Sequence, residues 1–374
     1  MTSPILWIAG VSWDDVPGTD KRLVIALADR SPVIWVDAPA RGHWRGWLSR
    51  SWPSVSEVHP GVTRVRAPAP PGFSRRPVRA LTALVQQWTV RRNLPVAPAA
   101  IVVANPVIGF PRGVDGTKVL FVTDDWVAGA PLMGYSATWL TGVLAANVRE
   151  ADAISAVTPA LLEMVHALGA SEGASAVIPN GAPEVQRVGS GRPQPVAGIV
   201  GQLNARLDLS MLEAVADAGI RLRLIGPRVD GDEAFARRLD GLIARENVEW
   251  TGRVSPEELP SHFADLAVGL TPYEDSEFNR ASFPLKTLEY LAAGLPVVST
   301  DLPASRWLAT DHMTIATDAD AFVDAVRSRI ADVEGGAEPA AIVDERVAFA
   351  VSHGWPRRAE SLRELIAAGS GGTA

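Results

Sequence analysis

Short apolar, β-branched runs, each followed by a helical pattern, recur along this chain and limit what it can fold into more than any other feature. A first series comprises ILWIAG, PVIWVD, GVTRVRA, AAIVVA, KVLFV, DAISAV and ASAVIP. A second series comprises VAGIVG, RLRLIG, NVEWTG, LAVGLTPY, PVVST and HMTIAT. Strands that alternate with helices at this spacing predict parallel sheets built from βαβ units. The two series therefore predict two α/β domains, each with its own parallel sheet.

The stretch between the two series predicts the domain boundary. It reads NGAPEVQRVGSGRPQP from Asn180 to Pro195, which is rich in Gly and Pro and has no apolar periodicity, as is typical of a linker. The chain of 374 residues is long enough for two cores. The predicted divisions are an N-terminal domain over 1–180, a linker over 181–195, a C-terminal domain over 196–350, a helix over 351–368 that packs back on the N-terminal domain, and a frayed tail over 369–374.

Composition excludes several classes of protein. No apolar run approaches the roughly 20 residues of a membrane span, and the N-terminus lacks the basic region of a signal peptide, so we expect a cytoplasmic protein. The absence of cysteine excludes disulfides and thiolate metal sites. The six histidines form no pair of the HxxxH type, so we expect no metal site built from them.

The most informative stretch runs from Tyr273 to Thr300 and reads YEDSEFNRASFPLKTLEYLAAGLPVVST. Ser282 is the predicted N-cap of a helix, and Pro284 lies in the first turn, where its missing N–H costs nothing. Gly294 followed by Pro296 ends the pattern. These signals predict a helix of about ten residues.

Two charged residues of this helix, Lys286 and Glu289, lie three positions apart and share one face. A lysine and free backbone N–H groups at a helix N-terminus suit a diphosphate, and a carboxylate one turn later can accept hydrogen bonds from both ribose hydroxyls. A solvent-exposed ion pair is the alternative interpretation. The predicted buried side of the helix consists of Leu285, Leu288, Leu291 and Ala292.

The segment FPLKTLEYLAAGLPVVST resembles the signature helix of the GT-B glycosyltransferases. The resemblance is to the branch that reads P-x-K-x-x-E-Y-x-A-x-G-x-P-V-V, which includes bacterial polysaccharide and teichuronic-acid transferases. Further landmarks follow in the order that this family implies: VIPNG, VGQLNARLD, LRLIGP, VEWTGRVSPEELP and VGLTPY. The match is dense over 118–310 and thin before it.

This resemblance implies an α/β protein of the GT-B class, with two Rossmann-like domains whose parallel sheets face each other across a cleft. The activity it implies is transfer of a sugar from a nucleotide-sugar donor to an acceptor hydroxyl, in cell-surface polysaccharide or glycolipid synthesis. A transferase with a soluble small-molecule acceptor, a GT-B epimerase or phosphorylase, and a non-catalytic nucleotide-binding module are the alternatives.

The donor implied by the resemblance is a UDP-, GDP- or dTDP-sugar, bound as a substrate, with no permanently bound cofactor. Gly201 would let the backbone approach a phosphate, and Arg206 would neutralise part of its charge, just before a helix capped by Asp208. The nucleobase would rest against the backbone that begins at Gly252. The predicted donor-binding residues are Gly201, Arg206, Gly252, Arg253, Tyr273, Lys286 and Glu289.

The catalytic residues predicted from the sequence are Asp124 and Asp125, which follow the strand KVLFV. Retaining GT-B enzymes carry two glutamates eight positions apart, but Ala281 stands eight positions before Glu289, so we expect inversion of the anomeric configuration. Inversion needs a base beside the acceptor, and Asp125 is the first choice, with Asp124 as its alternative. In the competing interpretation both carboxylates only satisfy N–H groups of the loop.

The first loop, GVSWDDVPGTDKR, also connects a strand to a helix. Asp14, Asp15 and Lys21 lie in it and could contact an acceptor or a donor phosphate. Turn formation and helix capping explain the same residues equally well.

The segment from 41 to 92 holds ten arginines and the single acid Glu57. Arginines interleaved with tryptophans, and then an apolar stripe at helical spacing, are typical of a surface that lies on an anionic membrane. We therefore expect a peripheral protein of the inner membrane face with a lipid-linked acceptor; in the alternative, the stripe packs on the sheet. Nucleic acid is not expected, because the net charge is −7 and no binding motif is present. The residues concerned are Arg41, Trp44, Arg45, Trp47, Arg50, Trp52, Arg75, Arg76, Arg79, Arg91 and Arg92, with the stripe Val78, Leu81, Leu84, Val85 and Trp88.

Overall fold

A computed structural model describes residues 3–15, 18–39, 54–70, 72, 78–169, 173–184, 193–229, 232–255, 257–308, 310–335 and 338–371. The chain divides into two compact units. Unit 1 comprises Met1–Asn180 and Trp355–Ala374, and unit 2 comprises Gly181–Gly354. Within the described residues, no helix combines the length and the apolar character needed to cross a membrane.

Unit 1 is built on one sheet, whose described strands lie in the order β3-β4-β2-β1-β5-β6-β7-β8. These strands are β1 (Ile5–Ala9), β2 (Val33–Val36), β3 (Ser54–His59), β4 (Val62–Arg66), β5 (Ala100–Ala104), β6 (Thr117–Val122), β7 (Ala153–Ala156) and β8 (Ala174–Val177). Every strand of the first predicted series is present and pairs in parallel. The sequence did not predict β3, which pairs antiparallel with β4. Because β3 is a half-exposed edge strand, its polar residues hide the apolar pattern.

The helices of unit 1 are α1 (Thr19–Ala28), α2 (Val78–Asn93), α3 (Ala130–Met133), α4 (Ala137–Glu150), α5 (Pro159–His166) and, at the end of the chain, α14 (Trp355–Ser370). The last of these packs on α1, where Arg363 donates a hydrogen bond to the Leu27 carbonyl at 3.1 Å. The prediction of a frayed tail from 369 is wrong for its first two residues. Gly369 is buried, and the Ser370 hydroxyl lies 2.6 Å from that of Thr117, so the helix stays ordered to its end.

Unit 2 contains a second sheet, in the order β11-β10-β9-β12-β13-β14, and all of its described pairs are parallel. Its strands are β9 (Val196–Val200), β10 (Arg221–Ile225), β11 (Val248–Gly252), β12 (Val268–Thr271), β13 (Val297–Thr300) and β14 (Met313–Ala316). Its helices are α6 (Leu209–Asp217), α7 (Glu233–Ile243), α8 (Leu259–Ala264), α9 (Glu277–Ala281), α10 (Leu285–Ala292), α11 (Pro303–Leu308), α12 (Ala319–Glu334) and α13 (Ala340–Ser352). All strands of the second predicted series are present, and their apolar side chains form the core with α6, α7 and α12.

Candidate active site

Glycines occupy the carboxyl ends of three neighbouring strands in unit 2. Gly201, Gly226 and Gly252 have φ angles of 148°, 139° and 73°, which favour glycine. A Cβ atom on Gly226 would lie 1.9 Å from the carbonyl oxygen of Gly201. The N–H of Gly226 donates to the Gly252 carbonyl at 2.9 Å, so the strand ends are tied together through the backbone. Gly201 and Gly252 are half-buried and Arg253 is exposed, so the main chain at these two strand ends reaches the surface, whereas Gly226 is buried.

The predicted helix begins later than its sequence signals suggest. It starts at Leu285, with Pro284 at the N-cap, and has eight residues. The prediction of Ser282 as N-cap is wrong, because this residue ends the separate helix α9 and its hydroxyl donates to the Phe278 carbonyl at 2.9 Å. The Ser276 hydroxyl accepts a hydrogen bond from the backbone N–H of Asn279 and caps α9. The residues just before α10 therefore belong to this separate short helix, and α10 begins only after it.

Lys286 and Glu289 lie on one face of α10, as predicted, and form an ion pair with Nζ 2.5 Å from Oε2. The Glu289 side chain is 8% exposed and that of Lys286 is 26% exposed, so the pair differs from the solvent-exposed alternative. The Cε atom of Lys286 lies 3.5 Å from where a Cβ on Gly201 would be. The fold thus brings together the lysine and the glycine loop, which the sequence predicted separately. A lysine beside exposed main chain at a helix start is suited to an anion.

Tyr290, which directly follows Glu289, was not predicted to have a role at the site. Its hydroxyl accepts a hydrogen bond from the N–H of Val200 at 2.7 Å and donates one to the Leu270 carbonyl at 3.3 Å. Gly269 makes room for the ring, since a Cβ there would lie 2.4 Å from it. Burial raises the pKa of Tyr290 well above its usual value, so the hydroxyl stays neutral. Tyr290 therefore fastens α10 to β9 and β12 and fixes the position of Glu289.

Arg206 is held by two residues that the sequence did not single out, Asn279 and Phe278. Its Nε donates to the Asn279 Oδ1 at 2.9 Å, and its guanidinium lies 4.7 Å from the centre of the Phe278 ring and 5.5 Å from that of Tyr273. Asn279 also donates to the carbonyls of Arg206 and Glu274, at 3.0 and 2.9 Å. Burial raises the pKa of Tyr273, so its phenol remains neutral beside the guanidinium.

The position that departs from the retaining pattern, Ala281, is buried at the end of α9. Of the acids before it, Asp275 forms an ion pair with Arg280 at 2.6 Å, and Glu277 is exposed. Asp208 caps α6 as predicted, because its carboxylate accepts the N–H of Ser210 at 2.9 Å.

In unit 1, the predicted pair Asp124 and Asp125 follows β6, as the sequence indicates. Asp125 is buried, and its Oδ1 accepts the N–H groups of Val127 and Ala128 at 3.0 and 2.8 Å. Asp124 is half-buried. The carboxylate of Asp125 thus supports the turn that follows the strand.

A third acid of this edge, Asp20, was missed by the sequence analysis. It lies in the first turn of α1, is buried, and accepts the N–H of Gly10 at 3.2 Å. Burial raises the pKa of Asp20 to about 7; the charge of Asp124 raises it further, whereas hydrogen bonds from Gly10 and Trp7 lower it. An acid in the first turn of a helix is usually explained by the helix dipole, and only the tertiary structure reveals its burial.

The charged residues of the first loop interact within unit 1. Arg64 is buried, with Nη2 2.6 Å from the Asp37 Oδ2 and 2.8 Å from the Asp14 Oδ2. Lys21 donates to the Trp13 carbonyl at 2.8 Å. Hydrogen bonding to Arg64 is the largest cause of the lowered pKa of Asp14. These contacts hold the loop within unit 1 without capping α1, whose N-cap Gly18 has no side-chain hydrogen bond, and Arg64 is a buried structural residue rather than part of a basic surface.

The apolar stripe of α2 faces outward. Leu81, Leu84 and Trp88 are 47%, 63% and 54% exposed, whereas Thr82 and Gln86 are buried. The alternative in which the stripe packs on the sheet is therefore wrong for these three residues. Arg92 lies over the Trp88 ring at 5.5 Å, and Arg79 lies over the Trp139 ring at 3.9 Å. The predicted surface residues Arg41, Trp44, Arg45, Trp47, Arg50, Trp52, Arg75 and Arg76 lie outside the described residues.

Comparison with known proteins agrees with this arrangement. Residues 194–332 match the family described as glycosyl transferases group 1. The teichuronic acid biosynthesis glycosyltransferase TuaH of Bacillus subtilis is 34% identical over 137 residues, which cover 36% of this chain and 34% of TuaH. The chain thus spans about a third of the length of this curated relative.

Solved structures resemble the whole chain at low sequence identity. Sucrose-phosphate synthase from Thermosynechococcus elongatus has a TM-score of 0.75 at 18% identity, with 97% of this chain and 98% of that one covered. Anabaena HepE, solved with UDP and glucose, has a TM-score of 0.68 at 15% identity, with 98% and 99% covered. A trehalose-6-phosphate enzyme of E. coli bound with UDP-2-fluoro glucose has 0.66 at 14%, with 97% and 98% covered. Residues 194–332 therefore form a group 1 glycosyltransferase domain, and the chain has the GT-B fold.

Proposed function

We propose that this protein is a nucleotide-sugar-dependent glycosyltransferase that transfers a sugar to an acceptor hydroxyl in cell-surface polysaccharide or glycolipid synthesis. The observation that carries the proposal is the largely buried Lys286–Glu289 pair beside Gly201, inside the residues that match the group 1 family. The name of TuaH supports a role in cell-envelope polymers. The solved structures with UDP or a UDP-sugar support UDP as the nucleotide of the donor.

Each donor group has a chemically matched partner in unit 2. Lys286 binds the diphosphate beside the half-buried main chain at Gly201, because a cation and a closely approaching backbone replace part of its hydration. Glu289 accepts hydrogen bonds from the ribose hydroxyls. Arg206 lies over the half-buried ring of Phe278, from which its guanidinium reaches the diphosphate. The main chain at Gly252 and Arg253, with Tyr273 nearby, completes the site.

Asp124 or Asp125 acts as the general base in unit 1. The carboxylate takes the proton of the acceptor hydroxyl, the oxygen attacks the anomeric carbon, and the nucleoside diphosphate leaves from the opposite face, so that the configuration inverts. Asp125 also holds the turn that follows the strand through two N–H groups, and Asp124 is its alternative as the base. The absence of an acid at the buried position Ala281 agrees with inversion.

Calorimetry with UDP tests the donor site. Replacing Lys286 by Ala should weaken UDP binding by about 1.5–3 kcal/mol, roughly 10- to 150-fold, since a hydrogen bond to a charged group is lost in a partly buried site. Glu289→Gln should also weaken binding. Arg327→Ala is the matched control, because Arg327 forms an exposed i,i+3 pair with Asp324 in the same unit. Unchanged affinity in both site variants would remove the donor assignment.

The acceptor is lipid-linked, and the protein docks peripherally on the inner membrane face through α2. The exposed side chains Leu81, Leu84 and Trp88 enter the interface, and Arg79 and Arg92 lie close to the lipid phosphates. An apolar face flanked by arginines is suited to an anionic membrane surface, because burial of the apolar side chains adds to the attraction of the charges. Nine of the ten arginines between 41 and 92, all except the buried Arg64, strengthen this attraction.

Sedimentation with vesicles of phosphatidylglycerol and phosphatidylethanolamine tests this surface. The double variant Leu84→Glu, Trp88→Glu should lose most of its binding at low salt, because two charges replace the side chains that enter the interface. The control is Ile342→Glu, Val351→Glu, which changes two exposed apolar residues of α13 in unit 2. If the wild-type protein stays in the supernatant, or if both double variants lose binding equally, a soluble acceptor becomes the better proposal.

A further inference from the structure

A groove of about 620 Å³ lies in unit 1, between α2 and α4. Its floor is the connection from β5 to β6, which crosses the sheet over residues 105–116 without forming a helix. The neighbouring connections from β6 to β7 and from β7 to β8 do contain helices. The missing helix leaves one side of α4 uncovered, and neither the donor site nor the candidate base lines the groove.

The groove is elongated. Its lining begins at Ser136, directly before α4, and extends to Glu150, the last residue of that helix. A helix of 14 residues is about 20 Å long, enough for several sugar rings in a row. The end at Ser136 is where the chain arrives from the loop that carries Asp124. A ligand in the groove would therefore extend away from the strand edge where the proposed base lies.

The lining is chemically suited to a carbohydrate. It combines an indole ring, a carboxamide, hydroxyls and charges of both signs, supplied by Trp139, Gln87, Ser136, Thr138, Arg112 and Glu150. Aromatic rings offer a flat apolar surface to the C–H faces of a sugar, and the polar groups can exchange hydrogen bonds with its hydroxyls. Glu150 forms an ion pair with Lys118 at 2.8 Å, so a cation already holds the carboxylate at this end of the groove.

The aromatic part of the groove is preorganised. The Arg79 guanidinium lies 3.9 Å from the centre of the Trp139 ring, and the Tyr135 ring meets the indole edge to face at 5.5 Å. A ring held on two sides loses little conformational freedom when a ligand arrives. A volume of about 620 Å³ is also within the range of ligand-binding clefts.

We infer that this groove binds the glycan portion of the acceptor, as a saccharide subsite remote from the reacting hydroxyl. The identity of the glycan as an acceptor rests on the proposed function, whereas its chemical class rests on the groove itself. A transferase that extends a polymer gains affinity for longer acceptors from such a subsite, because contacts remote from the reacting atoms hold the chain in place.

Gly142 offers a way to fill the groove without disturbing the fold. It lines the groove on the exposed side of α4, and a Cβ there would meet no atom within 4 Å. Leucine favours a helix more than glycine does and cannot hydrogen-bond a sugar. The matched control is Gly241→Leu on α7, where a Cβ would also meet nothing within 4 Å.

The experiment probes fluorescently labelled protein on an array of bacterial cell-surface oligosaccharides, and then measures the strongest binder by calorimetry. Gly142→Leu and Trp139→Ala should each weaken binding at least tenfold, while Gly241→Leu matches the wild type. Absence of any oligosaccharide binding by the wild-type protein, or equal affinity in Gly142→Leu, overturns the inference.

Calorimetry with UDP on the same preparations separates this inference from the proposed function. Binding of UDP without binding of any oligosaccharide overturns the groove assignment alone. If the wild-type protein binds an oligosaccharide, Gly142→Leu weakens this binding and neither protein binds UDP, the groove assignment is supported and the proposed donor site is contradicted.

Discussion

The carboxyl ends of the strands in the two units carry opposite chemistry. In unit 2, three strand ends carry the glycines Gly201, Gly226 and Gly252; the main chain reaches the surface at Gly201 and Gly252, and a lysine lies near Gly201. In unit 1, the comparable edge holds the acids Asp20 and Asp124. Parallel sheets place their ligands at this edge, so the fold supplies the location and the residues after each strand decide what binds there.

The difference also indicates which ligand suits which unit. A diphosphate is stabilised by main-chain N–H groups and a lysine, and repelled by a cluster of carboxylates. A neutral hydroxyl that must lose its proton needs the reverse, a carboxylate near its reactive oxygen. Similar α/β architecture can therefore serve an anionic donor in unit 2 and a neutral acceptor in unit 1.

The largest expected effect comes from the acids of unit 1. Asp124→Asn or Asp125→Asn should lower turnover by about 10²- to 10⁴-fold and leave UDP affinity unchanged, because a general base acts in the chemical step. Release of nucleoside diphosphate in the presence of acceptor measures turnover, and NMR of the product gives its configuration. Near wild-type turnover in both variants, or retention of configuration, would contradict the assignment of the acidic edge of unit 1 to the acceptor.

A smaller effect is expected from the glycine edge of unit 2. Gly226→Ala should lower the free energy of unfolding by about 2–4 kcal/mol, because the new Cβ collides with the Gly201 carbonyl and the φ angle is unfavourable. Gly219→Ala separates the two causes, since Gly219 has a φ of 75° and no atom within 4 Å of the Cβ position. Denaturant unfolding measures both variants; equal losses would show that the close approach at Gly226 is unimportant.

The last expected effect concerns pH and Asp20, and its size depends on the pH at which stability is measured. Its folded-state pKa of about 7 lies above the ordinary value of 3.8, so between these values the folded chain holds a proton that the unfolded chain has lost. The free energy of unfolding should therefore fall as pH rises through this window, by at most about 1.4 kcal/mol per pH unit, and this contribution should level off above it.

Asp20→Asn keeps an acceptor for the Gly10 N–H and removes this titration. Urea unfolding of both proteins from about pH 4 to about pH 8 should show the wild type losing stability relative to the variant. If the free energy of unfolding depends on pH in the same way in both proteins, Asp20 titrates normally, and the edge of unit 1 carries no acid with a raised pKa.

The sequence by itself determined all of the described strands except β3, and the main residues of the proposed donor site. Strands covered on both faces are continuous apolar runs, and each of these was identified. β3 was missed because polar residues interrupt its sequence, SVSEVH, so it forms no such run. Lys286, Glu289 and Gly201 were identifiable because a helix start and a glycine after a strand impose local requirements. Local requirements of this kind can be identified from residues that are close together in the sequence.

Only the tertiary structure decided the remaining features. The outward orientation of Leu84 and Trp88 depends on what covers the other side of α2, where Thr82 and Gln86 are buried. The burial of Asp20 depends on its position beneath the loop at Gly10 and beside Asp124, more than a hundred residues away along the chain. Burial and electrostatic coupling are sums over neighbours from distant parts of the chain, and no pattern of consecutive residues records them.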